Sequence, residues 1–165
     1  MKELPSGQAG GHSARARLDV SPAGFAAGSI VLTLDGALPV EFLSPGDRVI
    51  TRDQGMAILR DMHRAEVTCE MVSIKAGTLG HTRPEHDTLL PADQKVLLRD
   101  WRAQALFGAP QALAPARKLI DGEFIRLMGR QTLTLFQLDF AAPHILYVDG
   151  MELACDPSER LRKAA

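Results

Sequence analysis

Cys69, Cys155 and Ser29 are the side chains whose type and position could supply a nucleophile. Cys69 lies in the alternating stretch VTCEMVSI, and none of its immediate neighbours is a His, Lys or Arg that would lower the pKa of its thiol. We therefore predict that Cys69 is a buried packing residue. Ser29 begins a predicted strand and Cys155 follows the last predicted hairpin, so each has a structural interpretation beside the chemical one.

The loop GHTRPEHD holds histidines and acidic residues that could bind a divalent metal. His81 and His86 frame this loop, Asp87 is adjacent and Asp93 lies further on, which together form a set of nitrogen and oxygen ligands. Pro84 is incompatible with the helix face on which an i, i+4 ligand pair would lie. The sequence therefore predicts a solvent-exposed loop rather than a metal site.

His144 is the other histidine with a possible chemical role. It follows Pro143 in a predicted turn, and it could act as a base if the last hairpin lies near the N-terminal strand. His12 and His63 have no chemical neighbours, so we predict that both are surface residues.

Acidic residues beside glycine indicate turns. Asp35 precedes Gly36, Asp149 precedes Gly150, and Asp47 follows a Pro-Gly dipeptide. Both residues of an Asp-Gly pair tolerate positive φ, so the first of these pairs predicts the centre of a tight hairpin. We expect the three carboxylates to accept backbone hydrogen bonds in their turns rather than to form an acid/base pair.

Short runs of β-forming residues, separated by turns, must position these groups. Asp100 is placed to cap a short helix over WRAQALF, Gly108 is placed to end it, and residues 115–120 predict one or two further helical turns. The sequence thus predicts an all-β domain with one or two short helices. The predicted strand segments are SIVLTL, ALPVEFL, RVIT, EMVSIKA, TLLPADQKVLL, EFIRLM, QTLTLFQLDF, HILYVDG and MELA.

The length of 165 residues suits one domain with its own core. Residues 1–22 are rich in Gly, Ser, Arg and Ala without an apolar period, which predicts a disordered N-terminal arm. Residues 23–155 form the predicted domain, and residues 156–165 form a charged tail that we expect to be a frayed helix.

Charge and hydropathy exclude several classes of partner. With 19 basic and 20 acidic residues, the formal charge of -1 gives no field that would gather nucleic acid or anionic lipid. No apolar run approaches the length of a membrane helix, and the N-terminus lacks the apolar segment of a signal peptide. We therefore predict a cytoplasmic protein with reduced cysteines, no cofactor, and neither nucleic acid nor membrane as a partner.

Three segments together resemble the Hint (Hedgehog/intein) domain of self-cleaving proteins. The segment GFAAGSIVLTLDGALPVEFLSPGDRVITRDQG, residues 24–55, resembles the opening of that domain, and LLPADQKVLLRD, residues 89–100, resembles its next conserved block. Residues 101–122 resemble the loop of bacterial members, and LFQLDFAAPHILYVDGMELA, residues 135–154, resembles the closing hairpin. The resemblance covers residues 24–155 and implies a horseshoe-like fold of short, curved strands whose two ends meet at the active centre.

The resemblance also implies a degenerate active site. In active members a Cys or Ser begins the domain and attacks the preceding carbonyl carbon, and this position is Gly24 here. The block histidine that acts on the scissile amide corresponds to Gln94, and the histidine of the closing hairpin corresponds to Gln137. Neither glutamine can carry a proton at neutral pH.

Three functions follow as hypotheses. The first is a Hint-like scaffold or interaction module without self-cleavage. The second is self-processing through a substitute nucleophile, with Ser29 or Cys155 attacking and His86 or His144 serving as the base. The third is a binding module in which the N-terminal arm and the apolar rim of the Trp101 loop engage an unknown protein partner.

Overall fold

The computed structural model describes residues 23–156. The predicted N-terminal arm, with His12, and the predicted tail beyond residue 156 lie outside the described residues. Within the described part the chain forms twelve strands, one α-helix and two 3-10 helices. The strands are β1 (Phe25–Ala26), β2 (Ile30–Thr33), β3 (Gly36–Pro39), β4 (Arg48–Thr51), β5 (Gly55–Ile58), β6 (Asp61–Ile74), β7 (Thr88–Pro91), β8 (Lys95–Leu98), β9 (Ala112–Pro115), β10 (Ile125–Asp139), β11 (His144–Val148) and β12 (Met151–Cys155).

The strands form two antiparallel sheets, which confirms the predicted all-β class. The smaller sheet has the order β1-β10-β6-β7, and the larger has the order β3-β2-β4-β11-β12-β8-β9 with β5 paired to β4. β6 and β10 pair from Asp61 opposite Asp139 to Ile74 opposite Ile125, with one shift of register between Leu127 and Gly129. Apolar side chains of both sheets, such as Val31, are fully buried in one common core.

The long β6–β10 ribbon exceeds the strands that the sequence predicts. Residues 61–68 carry mostly exposed and half-buried side chains, so no alternation of polar and apolar residues identifies them as a strand. They become a strand because each residue pairs with a partner on β10, for example His63 with Gln137. The pairing also joins the predicted EFIRLM segment and the predicted QTLTLFQLDF segment into one strand, with a β-bulge between Leu127 and Gly129.

Two other predicted strands end earlier than expected. The segment ALPVEFL leaves the sheet after Pro39 and continues as a 3-10 helix, Val40–Phe42, which buries Val40 in the core. The Val40 N–H donates to the Ser29 carbonyl oxygen at 2.7 Å, which closes this bend. The segment TLLPADQKVLL divides into β7 and β8, because a turn in which the Gln94 N–H donates to the Pro91 carbonyl separates them.

The helix and its caps agree with the prediction. Helix α1 spans Trp101–Phe107, and the Asp100 carboxylate accepts the N–H of Arg102 at 3.0 Å. Gly108 ends the helix with φ of 66°, a conformation that glycine adopts without a Cβ penalty. The second predicted helical segment is the 3-10 helix Ala116–Leu119. No helix within residues 23–156 is long and apolar enough to cross a membrane.

The turn carboxylates behave in three different ways. Asp47 accepts the Ser44 N–H in its own turn at 2.8 Å, as predicted. Asp149 instead accepts the N–H of Ile30 from strand β2, at 3.1 Å, and burial raises its pKa against the lowering effect of that bond. Asp35 is exposed and forms an ion pair with Arg48 at 3.6 Å rather than a turn bond. The predicted hairpin centre was wrong by one residue, because the turn lies at residues 34–35 and Gly36 already begins β3.

A buried carboxylate ties three loops to β12. Glu152 is 2% exposed. Its oxygens accept two hydrogen bonds from Arg99, at 2.9 and 3.1 Å, and one from Arg83 at 3.1 Å. Arg52 adds an ion pair at 3.5 Å. A buried carboxylate without cationic partners would be costly, so these arginines hold β12 against the loops that carry them.

Gly150, in the turn between β11 and β12, allows the cost of tight packing to be separated from the cost of a positive φ, because Gly122 has a similar φ but open space around it. Gly150 has φ of 82°, and a Cβ on it would lie 2.7 Å from the Thr82 carbonyl oxygen and 2.8 Å from Glu85 Cγ. Gly122 has φ of 83°, and a Cβ there would meet nothing within 4 Å. The two glycines therefore have nearly the same φ, but only Gly150 lacks the space that an added Cβ would need.

We expect Gly122→Ala to lower the free energy of unfolding by about 1 kcal/mol, which is the cost of the left-handed backbone. Gly150→Ala should lower it by about 3 kcal/mol or more, because overpacking adds to the same strain. Urea unfolding followed by circular dichroism measures both variants. Equal losses would show that the contacts around Gly150 do not constrain the turn.

Candidate active-site cleft

The three positions singled out by the resemblance lie together. Gly24, Gln94 and Gln137 line one small cavity of about 30 Å³ with the ends of the domain, Ala23 and Cys155, beside them. Gly24 precedes β1, Gln94 lies in the turn between β7 and β8, and Gln137 is on β10. The pairing of β1 with β10 places Phe25 opposite Phe136, which brings the start of the domain to Gln137.

Gln94 uses its whole side-chain amide in buried hydrogen bonds. It is 2% exposed. Its Oε1 accepts the N–H of Gly24 at 3.0 Å, and its Nε2 donates to the carbonyl oxygens of Ala154 at 2.8 Å and Lys95 at 3.1 Å. The orientation of the amide follows from these partners, because a backbone N–H needs an acceptor and two carbonyls need a donor. Gln94 therefore joins the first residues of the domain to its last strand.

Gln137 holds the other side of the same peptide bond. Its Nε2 donates to the Ala23 carbonyl oxygen at 2.7 Å. The Ala23–Gly24 peptide thus gives its oxygen to Gln137 and its N–H to Gln94. A donor on the carbonyl oxygen polarises a carbonyl toward attack, but an acceptor on the N–H cannot deliver the proton that a departing nitrogen needs.

Gly24 has neither a nucleophile nor free space for one. Its φ is 154°, and a Cβ would lie 3.0 Å from the Phe136 carbonyl oxygen and 3.3 Å from Gln137 Cγ. Those contacts are tighter than ordinary van der Waals contact. A side chain at position 24 would require the β10 backbone or Gln137 to shift.

A second group of chemical side chains lies where β11 begins and β12 ends. The His144 ring Nδ1 is 2.8 Å from Asp53 Oδ2, and Asp53 Oδ1 accepts the N–H of Ile145 at 2.9 Å. Burial alone would raise the pKa of Asp53, but the hydrogen bonds from Ile145 and His144 outweigh it and lower that pKa below its usual value. Cys155 is directly opposite His144 in the β11–β12 pair, and its Sγ donates to the Leu138 carbonyl oxygen at 3.1 Å.

Sequence reasoning missed Asp53. We interpreted the segment Asp53-Gln54-Gly55 only as a turn, because its partner His144 is 91 residues away in the sequence. The strand pairing of β4 with β11, which sets Thr51 opposite Leu146, brings the two together. A turn carboxylate carries no signal in the sequence that distinguishes this role.

Ser29 and His86 do not line the cleft. Ser29 lies in the turn before β2, where its N–H donates to the Ala26 carbonyl oxygen at 3.0 Å. The His86 side chain is 60% exposed, and its Nε2 is 3.5 Å from Asp149. The structure therefore brings Cys155 and His144 together but leaves Ser29 and His86 elsewhere.

The other histidines and the second cysteine considered in the sequence analysis form no reactive group within the described residues. Within residues 23–156, no three His, Cys, Asp or Glu side chains are arranged to hold a metal ion, the loop with His81 included. Cys69 is buried and unpaired, as predicted, and burial raises the pKa of its thiol. His63 is partly exposed and lies 3.5 Å from Asp61.

The two sheets bring the first and last residues of the described domain, Ala23 and Cys155, to one cleft. A family model described as "Hint domain" matches residues 23–155. The chain therefore belongs to the Hint domain family.

Solved structures agree with this assignment at the level of the fold. The chain is similar to a bacterial intein-like domain from Clostridium thermocellum, with 16% identity, a TM-score of 0.54, and coverage of 82% of this chain and 99% of that one. It is also similar to the gp41-1 intein (9% identity, TM-score 0.52, 81% and 98% covered). A third match is the Msm DnaB1 intein splicing domain bound with zinc (10% identity, TM-score 0.52, 80% and 99% covered). No curated protein matches the chain.

We expect Gln94→Met to lower the free energy of unfolding by about 2–4 kcal/mol, because it leaves the buried Gly24 N–H and the Ala154 and Lys95 carbonyls without their partner. Gln104→Met, on the exposed face of α1, should change it by less than about 0.5 kcal/mol. Urea denaturation compares the two. A small loss for Gln94→Met would mean that water replaces the amide.

The lowered pKa of Asp53 makes its contribution to stability depend on pH. A carboxyl whose folded pKa is depressed stabilises the fold above its unfolded pKa of about 3.9, and that contribution is lost as the pH falls through the folded pKa. Asp53→Asn should therefore cost more stability at pH 6 than at pH 3, measured by thermal unfolding. Asp35→Asn removes an exposed carboxylate and should cost little at either pH. Equal losses for Asp53→Asn at both pH values would contradict the assignment.

Proposed function

We propose that this Hint domain is a scaffold or interaction module that does not cleave its own Ala23–Gly24 bond. The observation that carries the proposal is the environment of that peptide. Gly24 supplies no nucleophile, and both polar groups of the bond are held by glutamines that cannot transfer a proton. The positions that carry reactive side chains in active members are here occupied by Gly24, Gln94 and Gln137, whose hydrogen bonds join the two ends of the domain.

The hydrogen bonds of the cleft support a structural role. Gln94 accepts from the Gly24 N–H and donates to the Ala154 and Lys95 carbonyl oxygens at once, so one buried amide joins the start of the domain to strands β8 and β12. The proposal is therefore that the cleft clamps the segment entering the domain against the segment leaving it.

The surface around α1 supports an interaction with another protein. Trp101 is 68% exposed, and Leu106 and Phe107 on the same short helix are 52% and 41% exposed. The Arg102 guanidinium lies 4.7 Å from the centre of the Trp101 ring. Tryptophan and arginine are the residues most enriched at the centres of protein interfaces. The partner under this proposal is a protein segment with apolar side chains that covers Trp101.

We expect the full chain, fused to an N-terminal tag, to keep a single unprocessed intact mass after incubation with dithiothreitol or hydroxylamine. The physical reason is the absence of an ester or thioester that these nucleophiles could intercept. An active intein carrying the same tag serves as the positive control. A product that has lost the tag by a cut before Gly24 would contradict the proposal.

Self-processing through a substitute nucleophile is the second function, and one observation favours it. Cys155 lines the same small cavity as Ala23 and Gly24, and it stands opposite His144. This function requires a cysteine-dependent cut that Cys155→Ala abolishes. Ser29→Ala and His86→Ala are the matched controls, because neither residue lines that cavity.

A further inference from the structure

Glu152 has more cationic partners than its charge requires. Arg99 alone pairs with both of its oxygens, because Nε donates to Oε1 at 2.9 Å and Nη2 donates to Oε2 at 3.1 Å. This two-point pairing already neutralises a single carboxylate. Arg83 adds a third hydrogen bond to Oε2, and Arg52 forms an ion pair with the same atom at 3.5 Å. Together, these side chains carry three positive charges and one negative charge.

The guanidinium groups of this arginine cluster, Arg52, Arg83 and Arg99, lie close to one another. One nitrogen of each lies within 3.5 Å of the same atom, Glu152 Oε2. No two of these nitrogens can therefore be farther apart than twice that distance. Like charges at such a separation repel one another, and Glu152 offsets only one of the three. A further anion on the cluster would reduce that repulsion.

No other described carboxylate offsets the two remaining charges. Asp53 and Asp100 follow two of the arginines directly in the chain, but Asp53 pairs with His144 and Asp100 pairs with Arg102. Within residues 23–156, the only carboxylate that forms ion pairs with the arginine cluster is Glu152. The cluster therefore has a local excess of two positive charges, although the formal charge of the whole chain is -1.

The N–H groups that Glu152 does not use are open to solvent. Among the described residues that are not exposed, no buried side-chain nitrogen lacks a hydrogen-bond partner. The unpaired guanidinium nitrogens of Arg52 and Arg83 are therefore reached by solvent. The side chains of Arg52, Arg83 and Arg99 are 28%, 22% and 35% exposed, whereas that of Glu152 is 2% exposed. The cluster thus buries its one carboxylate and keeps free donors at the surface.

We propose that the arginine cluster binds a phosphate group, either as inorganic phosphate or as the end of a small phosphate monoester. A phosphate group carries a charge of about -1.5 to -2 at neutral pH, which matches the excess of two positive charges. Its oxygens accept hydrogen bonds from several guanidinium groups at once, and the planar fork of arginine binds them bidentately. A carboxylate ligand, with a single charge, would leave half of the excess without a counter-charge.

This site is independent of the proposed scaffold function. None of the three arginines lines the cavity at Gly24. They belong to three different connections, namely the β4–β5 turn, the β6–β7 loop and the link from β8 to α1. A phosphate group that contacts all three would join these connections at the surface, as Glu152 joins them in the interior. Because only the folded chain brings the arginines together, phosphate binding should stabilise the fold.

The test follows thermal unfolding of the full chain at neutral pH while sodium phosphate replaces sodium chloride at constant ionic strength. Constant ionic strength separates binding from screening. We expect the Tm to rise with the phosphate concentration as the relation for ligand binding requires, which gives a dissociation constant. A second series uses phenyl phosphate. A rise of similar size would show that the cluster accepts a monoester, and a rise with inorganic phosphate alone would assign the site to the free ion.

Arg52→Gln is the most direct variant, because it leaves the buried Glu152 with its three hydrogen bonds. The dissociation constant for phosphate should increase about tenfold or more, which is typical of one lost hydrogen bond to a charged group. Arg52→Lys keeps the charge without the fork and should weaken binding less. Arg48→Gln is the matched control, because it makes the same change of net charge at an exposed arginine that pairs with Asp35. It should leave the dissociation constant unchanged.

Circular dichroism shows whether each variant is folded, and Arg83→Gln replaces Arg52→Gln if the latter does not fold. Two results would overturn the proposal. One is a wild-type Tm in phosphate equal to that in chloride of the same ionic strength. The other is a dissociation constant that is the same in wild type, Arg52→Gln and Arg83→Gln, because phosphate would then bind elsewhere on the chain.

Discussion

The buried amide of Gln94 is the interaction on which the cleft depends. Its three hydrogen bonds join the backbone of Gly24 to that of β8 and β12, so the start and the end of the domain have one shared anchor. A buried amide is tolerated only when its donors and acceptor are all paired, and here they are. The chain enters the domain beside its last strand, and this one amide pairs with the backbone of both segments.

Strand β12 carries different chemistry on its successive residues. Glu152 is neutralised by arginines from three loops, Ala154 gives its carbonyl oxygen to Gln94, and Cys155 faces His144. Alternation along a strand sends neighbouring side chains to opposite faces. One short strand can therefore bury a carboxylate on one face and pack the Cys155 side chain into the core on the other.

Much of the architecture could be predicted from local patterns. Asp100 and Gly108 mark the ends of α1 because capping depends on residues close in sequence. The residues 61–68 could not be recognised as a strand, because only their partners on β10 order them. The turn at residues 34–35 was displaced by one residue from the Asp-Gly pair, since several turn types place a glycine at positive φ.

The sequence by itself determined the family, the β class, and the residue types at positions 24, 94 and 137, because these depend on the order of residues along the chain. It could not determine that Gln94 and Gln137 hold the two sides of one peptide bond, or that Asp53 meets His144. Those contacts join residues 70, 114 and 91 positions apart. Only the pairing of strands in the folded sheets sets such distances, because hydrogen-bond geometry acts across space rather than along the chain.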